Sequence, residues 1–320
     1  MGSETPFALI VAGPTASGKS ALAIALAERL GGVVINADAM QCYRELRIIT
    51  ARPTPQEEAR VPHRLFGVRP AAEPGHVAWW REAALAAMAE AREAGQLPIL
   101  CGGTGLYFWS LVHGIAAIPP VPPTARAEAR RLLAEHGPQA LHAALAKVDP
   151  ATAARLHPAD SLRVARAWEV WRATGRGLAA WQAEPAAPAP WRFAELLLAP
   201  PREALREAIT RRFATMLAAG ALEEVRALLA LGLADAAPAM HALGVPELAA
   251  HLLGGVPLGE AERRAVLASC QYSKRQATWF RHRGLVEPRW AHTIYARIDS
   301  LAQFSESQMA SIISFIHGAG

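Results

Sequence analysis

The sequence predicts an α/β fold, built on a mostly parallel sheet that is interrupted by a helical insertion. Short apolar runs suited to buried strands alternate with helical stretches, a pattern typical of a helix-covered parallel sheet. Glycine-rich turns follow the first and third of these runs, where chain and ligand can approach closely. Two proline-rich segments, at 118–123 and 184–190, enclose a stretch that contains no strand candidate. Together these observations predict one sheet-based core and one inserted helical domain.

The core elements follow from the sequence in order. An apolar strand is predicted at 7–12, and after a glycine-rich turn the good helix formers of 21–30 end at Gly31 and Gly32. The next predicted elements are a strand at 33–35, an amphipathic helix at 79–94 that is closed by a glycine, and a strand at 97–101 that ends in Gly102-Gly103.

The pattern changes at Ile118-Pro-Pro-Val-Pro-Pro123, after which residues 124–174 are predicted to be helical. A further strand at 193–198 returns the chain to the core. We therefore expect a core of residues 1–117 and 191–297 with C-terminal helices and an insertion at 118–190. For the tail at 298–320 the sequence predicts no role.

Composition restricts the class of protein. Of 320 residues, 52% are hydrophobic and 19% are charged, which excludes a disordered chain. No run approaches the roughly 18 consecutive apolar residues of a membrane span, and the N-terminus lacks the pattern of an export signal. We expect a cytoplasmic protein without membrane contact. Three widely spaced cysteines, Cys42, Cys101 and Cys270, predict reduced thiols and no zinc site.

Charge is distributed unevenly. The 33 Lys and Arg residues exceed the 28 Asp and Glu residues by five, and only three of the cations are lysine. The segment 263–297 carries eight Lys or Arg residues against one acid, Glu287. Such an excess predicts a polyanionic partner, and the alternative is a solvated helix face in an arginine-rich chain.

A phosphate-binding loop is predicted between the first strand and the first helix. Its glycines let backbone N–H groups surround phosphate oxygens at the positive end of the helix. Lys19 is expected to neutralise a terminal phosphate and Ser20 to hold Mg²⁺. The pattern indicates a bound di- or triphosphate and leaves the reaction open. The loop comprises Gly13, Pro14, Thr15, Ala16, Ser17, Gly18, Lys19 and Ser20.

Two further segments end strands at the edge of the sheet where ligands bind. Asp38 follows the second strand and is either a base, a magnesium-linked carboxylate or a solvated turn residue. Gly102-Gly-Thr-Gly-Leu-Tyr107 follows the third strand and is either a ligand contact through Thr104 or a structural turn. No second apolar strand ends in an aspartate, which disfavours nucleotide hydrolysis.

Six motifs, in order and spacing, resemble the bacterial tRNA dimethylallyltransferase family. The resemblance extends from about residue 7 to residue 290. The motifs are Gly13-Pro-Thr-Ala-Ser-Gly-Lys-Ser20, Asn36-Ala-Asp-Ala-Met-Gln-Cys-Tyr43, Thr50-Ala-Arg-Pro-Thr54, Pro62-His-Arg-Leu65, Gly102-Gly-Thr-Gly-Leu-Tyr107 and Lys274-Arg-Gln-Ala-Thr-Trp-Phe-Arg281.

The resemblance implies a P-loop kinase-like core and a helical insertion that clasps RNA. Separately, we expect a monomer. The resemblance also implies transfer of a dimethylallyl group from dimethylallyl diphosphate to N6 of the adenosine 3′ of the anticodon, with Mg²⁺. Asp38 would then accept the N6 proton, Thr104 would lie beside the reaction channel, and Arg212 would join Lys19 on the diphosphate. The implied contacts to the tRNA anticodon stem-loop are Asp38, Ala39, Met40, Gln41, Arg126, Arg163, Arg166, Lys274, Arg275 and Arg281.

Some positions depart from the family pattern. Ala39 replaces a serine, Arg52 replaces a lysine, Leu162 stands where glutamine is common, and Leu243-Gly-Val-Pro246 departs from a Gly-Tyr-Arg segment. Two other activities remain as alternatives: a prenyltransferase for free adenine nucleotide and a P-loop small-molecule kinase. The long insertion and the basic segment 263–297 favour tRNA as the acceptor.

Overall fold

The structure is a computed structural model that describes residues 5–298 and 305–320. Residues 1–4 of the predicted core and 299–304 of the predicted tail lie outside the described residues. The strands are β1 (Phe7–Ala12), β2 (Gly32–Asn36), β3 (His63–Arg64), β4 (Leu97–Gly102), β5 (Arg192–Leu198) and β6 (Ala291–Ile294). The helices are α1 (Lys19–Leu30), α2 (Pro55–Glu58), α3 (Val77–Glu93), α4 (Gly105–Val112), α5 (Pro123–Val148), α6 (Pro150–Ala153), α7 (Ser161–Thr174), α8 (Leu178–Gln182), α9 (Arg202–Ala218), α10 (Ala221–Ala230), α11 (Val245–Leu252), α12 (Leu258–His282) and α13 (Glu306–Ala319).

The six strands form one sheet in the order β3-β2-β4-β1-β5-β6, with every pairing parallel. This confirms the predicted α/β class. The two central strands, β1 and β4, are buried on both faces, which explains why they read as continuous apolar runs. Because all strands run the same way, the loops after β1, β2 and β4 meet at one edge of the sheet.

Helices cover both faces of the sheet. On one face α1 packs against Leu9, Val11 and Ile99, and on the other α3 and α4 pack against Ala8 and Ile10. The described part of the predicted tail contains α13, whose Met309, Ile312 and Ile316 join the first of these cores. The tail therefore contributes to the core, although the sequence had indicated no role for it.

A third hydrophobic core joins the C-terminal helices to the loop after β2. Phe213 and Met216 of α9 pack there with Tyr43 and Leu46 of that loop, and Ala261 and Ala265 of α12 belong to the same core. This packing places α9 and α12 beside the carboxyl edge of the sheet. It thus sets the position of the side chains that these helices contribute to the site.

The insertion forms a compact unit of its own, His113–Pro188, containing helices α5 to α8. Its own cores include Ala129, Leu141 and Val164. The helix α5 is interrupted where Gly137 has φ 76° and ψ 171°, directly before Pro138. The unit begins five residues before the predicted boundary at 118, since α4 of the core ends at Val112. Among the described residues, no helix is long and apolar enough to cross a membrane.

Candidate active site

The phosphate loop connects β1 to α1 in a conformation that its residue types allow. Gly18 has φ 92° and precedes the first residue of α1. A Cβ atom at this position would lie 1.9 Å from the carbonyl oxygen of Ile298, so the loop requires glycine there. Ala16 also has a positive φ, 65°. Loop residues in this conformation lead into the N-terminus of α1, where N–H groups without helical partners form an anion site.

The rest of the protein holds the loop from several sides. Arg297 Nε donates to the carbonyl oxygen of Ala16 at 2.9 Å, and the Ile298 N–H donates to that of Ser17 at 3.0 Å. The loop also acts as a donor: the Thr15 N–H donates to Oε1 of Gln276 at 2.8 Å. The Thr15 N–H is therefore used by the protein in this structure, and the anion-binding N–H groups that remain lie toward the helix terminus.

Lys19 and Ser20 lie at the start of α1, as the motif predicts. Lys19 Nζ donates to the carbonyl oxygen of Pro14 at 3.4 Å. Burial lowers the pKa of Lys19, and the nearby Cys101 and Asp38 oppose this shift. The Ser20 side chain hydrogen-bonds Cys101, whose pKa burial raises to about 11. In the described part of the chain, the buried hydroxyl of Ser17 has no hydrogen-bond partner.

Asp38 follows β2 in a tight turn that fixes its carboxylate. Asn36 is fully buried, and its side chain accepts the Asp38 N–H at 2.8 Å while it donates to the Asp38 carbonyl at 3.0 Å. Asp38 Oδ1 accepts the Met40 N–H at 3.0 Å. The Asn36 side chain thus orients Asp38 through its backbone on both sides.

Thr104 follows β4 and contacts the same turn. Its N–H donates to the Ala37 carbonyl at 3.2 Å, and its hydroxyl oxygen accepts the Ala39 N–H at 3.0 Å. Gly102 lies directly against this turn, since a Cβ there would be 2.0 Å from the Ala37 oxygen. The glycine-rich turn is thus a close structural contact that places Thr104 beside Asp38, and a ligand contact of Thr104 stays a prediction.

Arg212 comes from α9 and reaches the phosphate loop. Its Nη2 donates to Thr15 Oγ1 at 2.5 Å. Burial lowers the pKa of Arg212, and Asp38 opposes this shift. The structure therefore brings Lys19, Asp38, Thr104 and Arg212 together at one edge of the sheet.

A cavity of about 270 Å³ opens beside Asp38 and Arg212. Thr15, Asp38 and Arg212 line one part of it, and Ser269, Tyr272 and Arg275 of α12 line another. Burial, with a contribution from Asp38, raises the pKa of Tyr272 to about 12, so the phenol stays neutral at physiological pH. The remaining wall is largely apolar and is formed by Met40, Ile49, Ile209, Phe213, Met216 and Leu243, with Thr50 and His241 as its polar members.

The cations predicted to contact RNA on α12 are exposed. Lys274, Arg275 and Arg281 are all exposed to solvent, and Arg275 also lines the cavity. Arg263 and Arg264, counted in the same basic segment, both pair with Glu260, which lies just before it. The charge available to a polyanion is therefore concentrated in the second half of α12.

Other predicted RNA contacts lie elsewhere in the chain. Gln41 donates its Nε2 to the carbonyl oxygens of Thr50 and Ala51, which fixes the neighbouring loop. Within the helical unit, the side chains of Arg126, Arg163 and Arg166 are exposed. Arg163 pairs with Asp160 at 3.4 Å, and Arg166 pairs with Glu169 at 3.3 Å.

Several site residues were missed by sequence reasoning. Ser269, Tyr272 and Gln276 lie on one face of α12 at helical spacing, and the first two line the cavity. That spacing was the available signal. No sequence signal pointed to Glu224 of α10. Its carboxylate accepts the N–H groups of Arg47, Ile48 and Ile49 at 2.8 to 2.9 Å and so fixes the loop that supplies Ile49.

Comparison with known proteins agrees with this geometry. The family model described as IPP transferase matches residues 41–283. The tRNA dimethylallyltransferases of Granulibacter bethesdensis and Acidiphilium cryptum are each 61% identical over 310 residues, which is 97% of this chain and 97% and 94% of theirs. A full-length tRNA isopentenylpyrophosphate transferase from Bacillus halodurans superposes with a TM-score of 0.69 at 32% identity, covering 99% of this chain and 97% of that one. A eukaryotic dimethylallyltransferase acting on tRNA superposes with a TM-score of 0.78 at 25% identity, and the match covers 98% of this chain and 80% of that one. A matched segment of this length, with relatives this similar over nearly the whole chain, shows that the chain belongs to the IPP transferase family.

Proposed function

We propose that this chain transfers a dimethylallyl group from dimethylallyl diphosphate to N6 of the adenosine 3′ of the anticodon in tRNA. The observation that carries the proposal is the cavity in which Asp38 lies near the Thr15–Arg212 pair and an apolar wall. A five-carbon group fits against the apolar wall, and its diphosphate fits against the cations. The six motifs of the sequence and the names of the relatives support the same reaction.

In this reaction N6 attacks C1 of the dimethylallyl group while the C1–O bond breaks, and the electron pair of that bond leaves on the diphosphate. An adenine amino group is a weak nucleophile because its lone pair is delocalised into the ring. Asp38, held by Asn36 and Met40, is oriented to accept the N6 proton as the C–N bond forms. Thr104 holds the turn that carries this carboxylate.

The leaving diphosphate gains negative charge as the C1–O bond breaks. Lys19, Arg212 and the N–H groups at the start of α1 are the donors placed to stabilise it. Burial strengthens these electrostatic interactions, because Lys19 and Arg212 have lost much of their contact with water. Bound diphosphate adds negative charge beside both cations, for which Asp38 is the only carboxylate in the described part of the chain that raises the pKa in the free protein.

Mg²⁺ fits this site as an ion held mainly by substrate. In the described residues there is no cluster of three or more His, Cys, Asp or Glu side chains, and Mg²⁺ at diphosphate sites commonly takes only one or two protein ligands. Ser20 is the protein hydroxyl at the start of α1 that would hold it. When bound, the ion neutralises charge on the diphosphate oxygens.

The RNA is proposed to contact the exposed half of α12 and the helical unit His113–Pro188. Lys274, Arg275 and Arg281 provide exposed cations on α12, of which Arg275 lines the cavity, and the helical unit adds Arg126, Arg163 and Arg166. The target adenosine must leave the stacked anticodon loop to reach Asp38. We place the protein in the cytoplasm, where its tRNA substrate is found, and propose that one copy is sufficient for activity.

A transfer assay tests this function directly. Dimethylallyl diphosphate labelled in the prenyl group is supplied with an anticodon stem-loop or with AMP, and labelled ATP is supplied in a parallel reaction. We expect label in the stem-loop only, and loss of transfer in Lys19→Ala with stem-loop affinity retained. Transfer to AMP would indicate a free-nucleotide prenyltransferase, and phosphate transfer from ATP would indicate a kinase. A Lys19→Ala variant that loses stem-loop affinity as strongly as transfer would place RNA phosphate in the loop.

A further inference from the structure

Gln276 is a buried amide with two long-range hydrogen bonds. It lies on α12 with 6% of its surface exposed. Its Oε1 accepts the N–H of Thr15 in the phosphate loop at 2.8 Å, and its Nε2 donates to the carbonyl oxygen of Gly103 at 2.8 Å. One side chain therefore connects the loop after β1 with the turn after β4.

We propose that Gln276 is a positioning residue that sets the distance between the diphosphate site and the proton acceptor Asp38. This inference rests on the proposed prenyl transfer and deepens it. The reaction requires the leaving oxygen, C1 and N6 to align, and a shift of about 1 Å in such an arrangement costs on the order of 100-fold in rate. No atom of Gln276 needs to touch the substrate for this role.

The connection continues from Gly103 to Asp38 through backbone contacts. Thr104, the next residue, donates its N–H to Ala37 and accepts the N–H of Ala39 on its hydroxyl. These two bonds flank Asp38 on both sides. A displacement of Gly103 therefore moves the turn that carries the carboxylate, whereas a displacement of Thr15 moves the loop that carries the diphosphate.

The amide group suits this position because it offers one acceptor and one donor. A carboxylate of the same length would accept from Thr15 but could not donate to Gly103, and a thioether of similar length could accept only weakly and could not donate. The space around the amide is also restricted: a Cβ atom at Gly103 would lie 2.2 Å from Gln276 Nε2. Gly103 is therefore needed so that the amide can reach both partners.

Helix α12 gives the bridge a second significance. The same helix lines the cavity through Ser269, Tyr272 and Arg275 and exposes Lys274 and Arg281. Gln276 is thus the point at which the helix proposed to contact RNA is hydrogen-bonded to both substrate loops. Its neighbour in sequence, Arg275, lies on the cavity side with its guanidinium 5.6 Å from the Tyr272 ring.

Two substitutions disrupt the bridge from opposite sides. Gln276→Met removes both hydrogen bonds at similar length, and Gly103→Ala inserts a methyl group against the amide. Gln271→Met is the matched control, because Gln271 is exposed on the same helix. For each variant we would measure kcat and the KM for dimethylallyl diphosphate, the Kd of inorganic diphosphate by calorimetry, the Kd of an anticodon stem-loop, and the thermal midpoint.

We expect Gln276→Met and Gly103→Ala each to lower kcat/KM for dimethylallyl diphosphate by about 10- to 100-fold, consistent with lost alignment. Diphosphate affinity should fall, stem-loop Kd should stay within twofold of wild type, and Gln271→Met should match wild type. The double variant should be little worse than the more impaired single variant, because both changes break one bridge.

The proposal would be overturned if the folded variants had kinetic constants near those of wild type and only a lower thermal midpoint. Gln276 would then be a packing residue. Effects that multiply in the double variant would also overturn the proposal. If Gln276→Met does not fold, Gly103→Ala alone decides between these outcomes. Failure of the proposed function is distinguishable, because wild-type protein would then transfer no prenyl group, while the diphosphate Kd of the variants still reports on the loop.

Discussion

At the scale of single residues, the carboxylate of Asp38 is the group most directly tied to chemistry. It lies in the cavity, and its backbone is fixed by Asn36 on both sides. We expect Asp38→Ala to lower kcat by about 10² to 10⁴, the usual contribution of a positioned general base. Stem-loop affinity should change only a few fold in a filter-binding measurement. A near-normal kcat would remove Asp38 from the role of proton acceptor.

A second residue, Glu195, carries a prediction about stability. It lies on β5 with 4% of its surface exposed, and burial raises its pKa to about 7. The ordinary value is 4.5, so between pH 4.5 and 7 the unfolded state has lost a proton that the folded state keeps. Stability therefore falls as pH rises through this window, and the penalty is fully present above pH 7.

Glu195→Gln removes the ionisable group and should stabilise the protein most at high pH. We expect a gain on the order of 3 kcal/mol at pH 8, because burial raises the pKa from 4.5 to about 7, and a much smaller gain at pH 5. Denaturant unfolding of both proteins at the two pH values measures the difference. The exposed Glu207→Gln serves as the control. An equal change at both pH values would show that Glu195 does not titrate in this window.

At the scale of elements, α12 separates two kinds of cation that the sequence presents as one basic segment. Lys274 and Arg281 are exposed, and no ion pair is found for them among the described residues, whereas Arg263 and Arg264, which are also exposed, pair with Glu260. We expect the double variant Lys274→Ala, Arg281→Ala to bind stem-loops more weakly, by a similar factor whatever the stem-loop sequence. The log–log salt dependence should flatten by about one to two units, at roughly 0.7 per phosphate contact.

The paired cations supply the matched control for this prediction. Arg263→Ala with Arg264→Ala removes the same charge from the same helix, and we expect a smaller change in slope because Glu260 already offsets part of that charge. Binding is measured over a range of salt concentrations. If the two double variants behave alike, then α12 acts only through its total charge, and the specific assignment of Lys274 and Arg281 fails.

At the scale of the whole molecule, the helical unit enters and leaves the core at neighbouring points. The Ala189 N–H donates to the Leu111 carbonyl at 2.8 Å, so a short Gly-Ser linker can replace residues 113–188. We expect this deletion variant to keep its fold and its diphosphate affinity, since the cavity residues all belong to the core. Stem-loop affinity should fall by at least about tenfold, because several phosphate contacts are lost together. Unchanged RNA affinity by filter binding would confine the RNA site to the core.

Much of this protein follows from its sequence. Strands β1, β2 and β4 were predicted from their apolar runs, because a strand that is buried on both faces needs apolar side chains at nearly every position. The phosphate loop and the Asp38 and Thr104 segments were placed at one edge of the sheet, because parallel strands end together. The α/β class and the family are confirmed. The roles of individual site residues and the Mg²⁺ ion stay predictions.

The tertiary structure decided which side chains meet across the chain. The hydrogen bond from Thr15 to Gln276 joins residues 261 positions apart, and the hydrogen bonds from Arg297 and Ile298 to the phosphate loop span an even longer stretch of sequence. No local period or propensity connects such positions, since they become neighbours only when α12 and the C-terminal segment pack on the core. For the same reason, the sequence could count the cations of the basic segment but could not separate the exposed Lys274 from the paired Arg263.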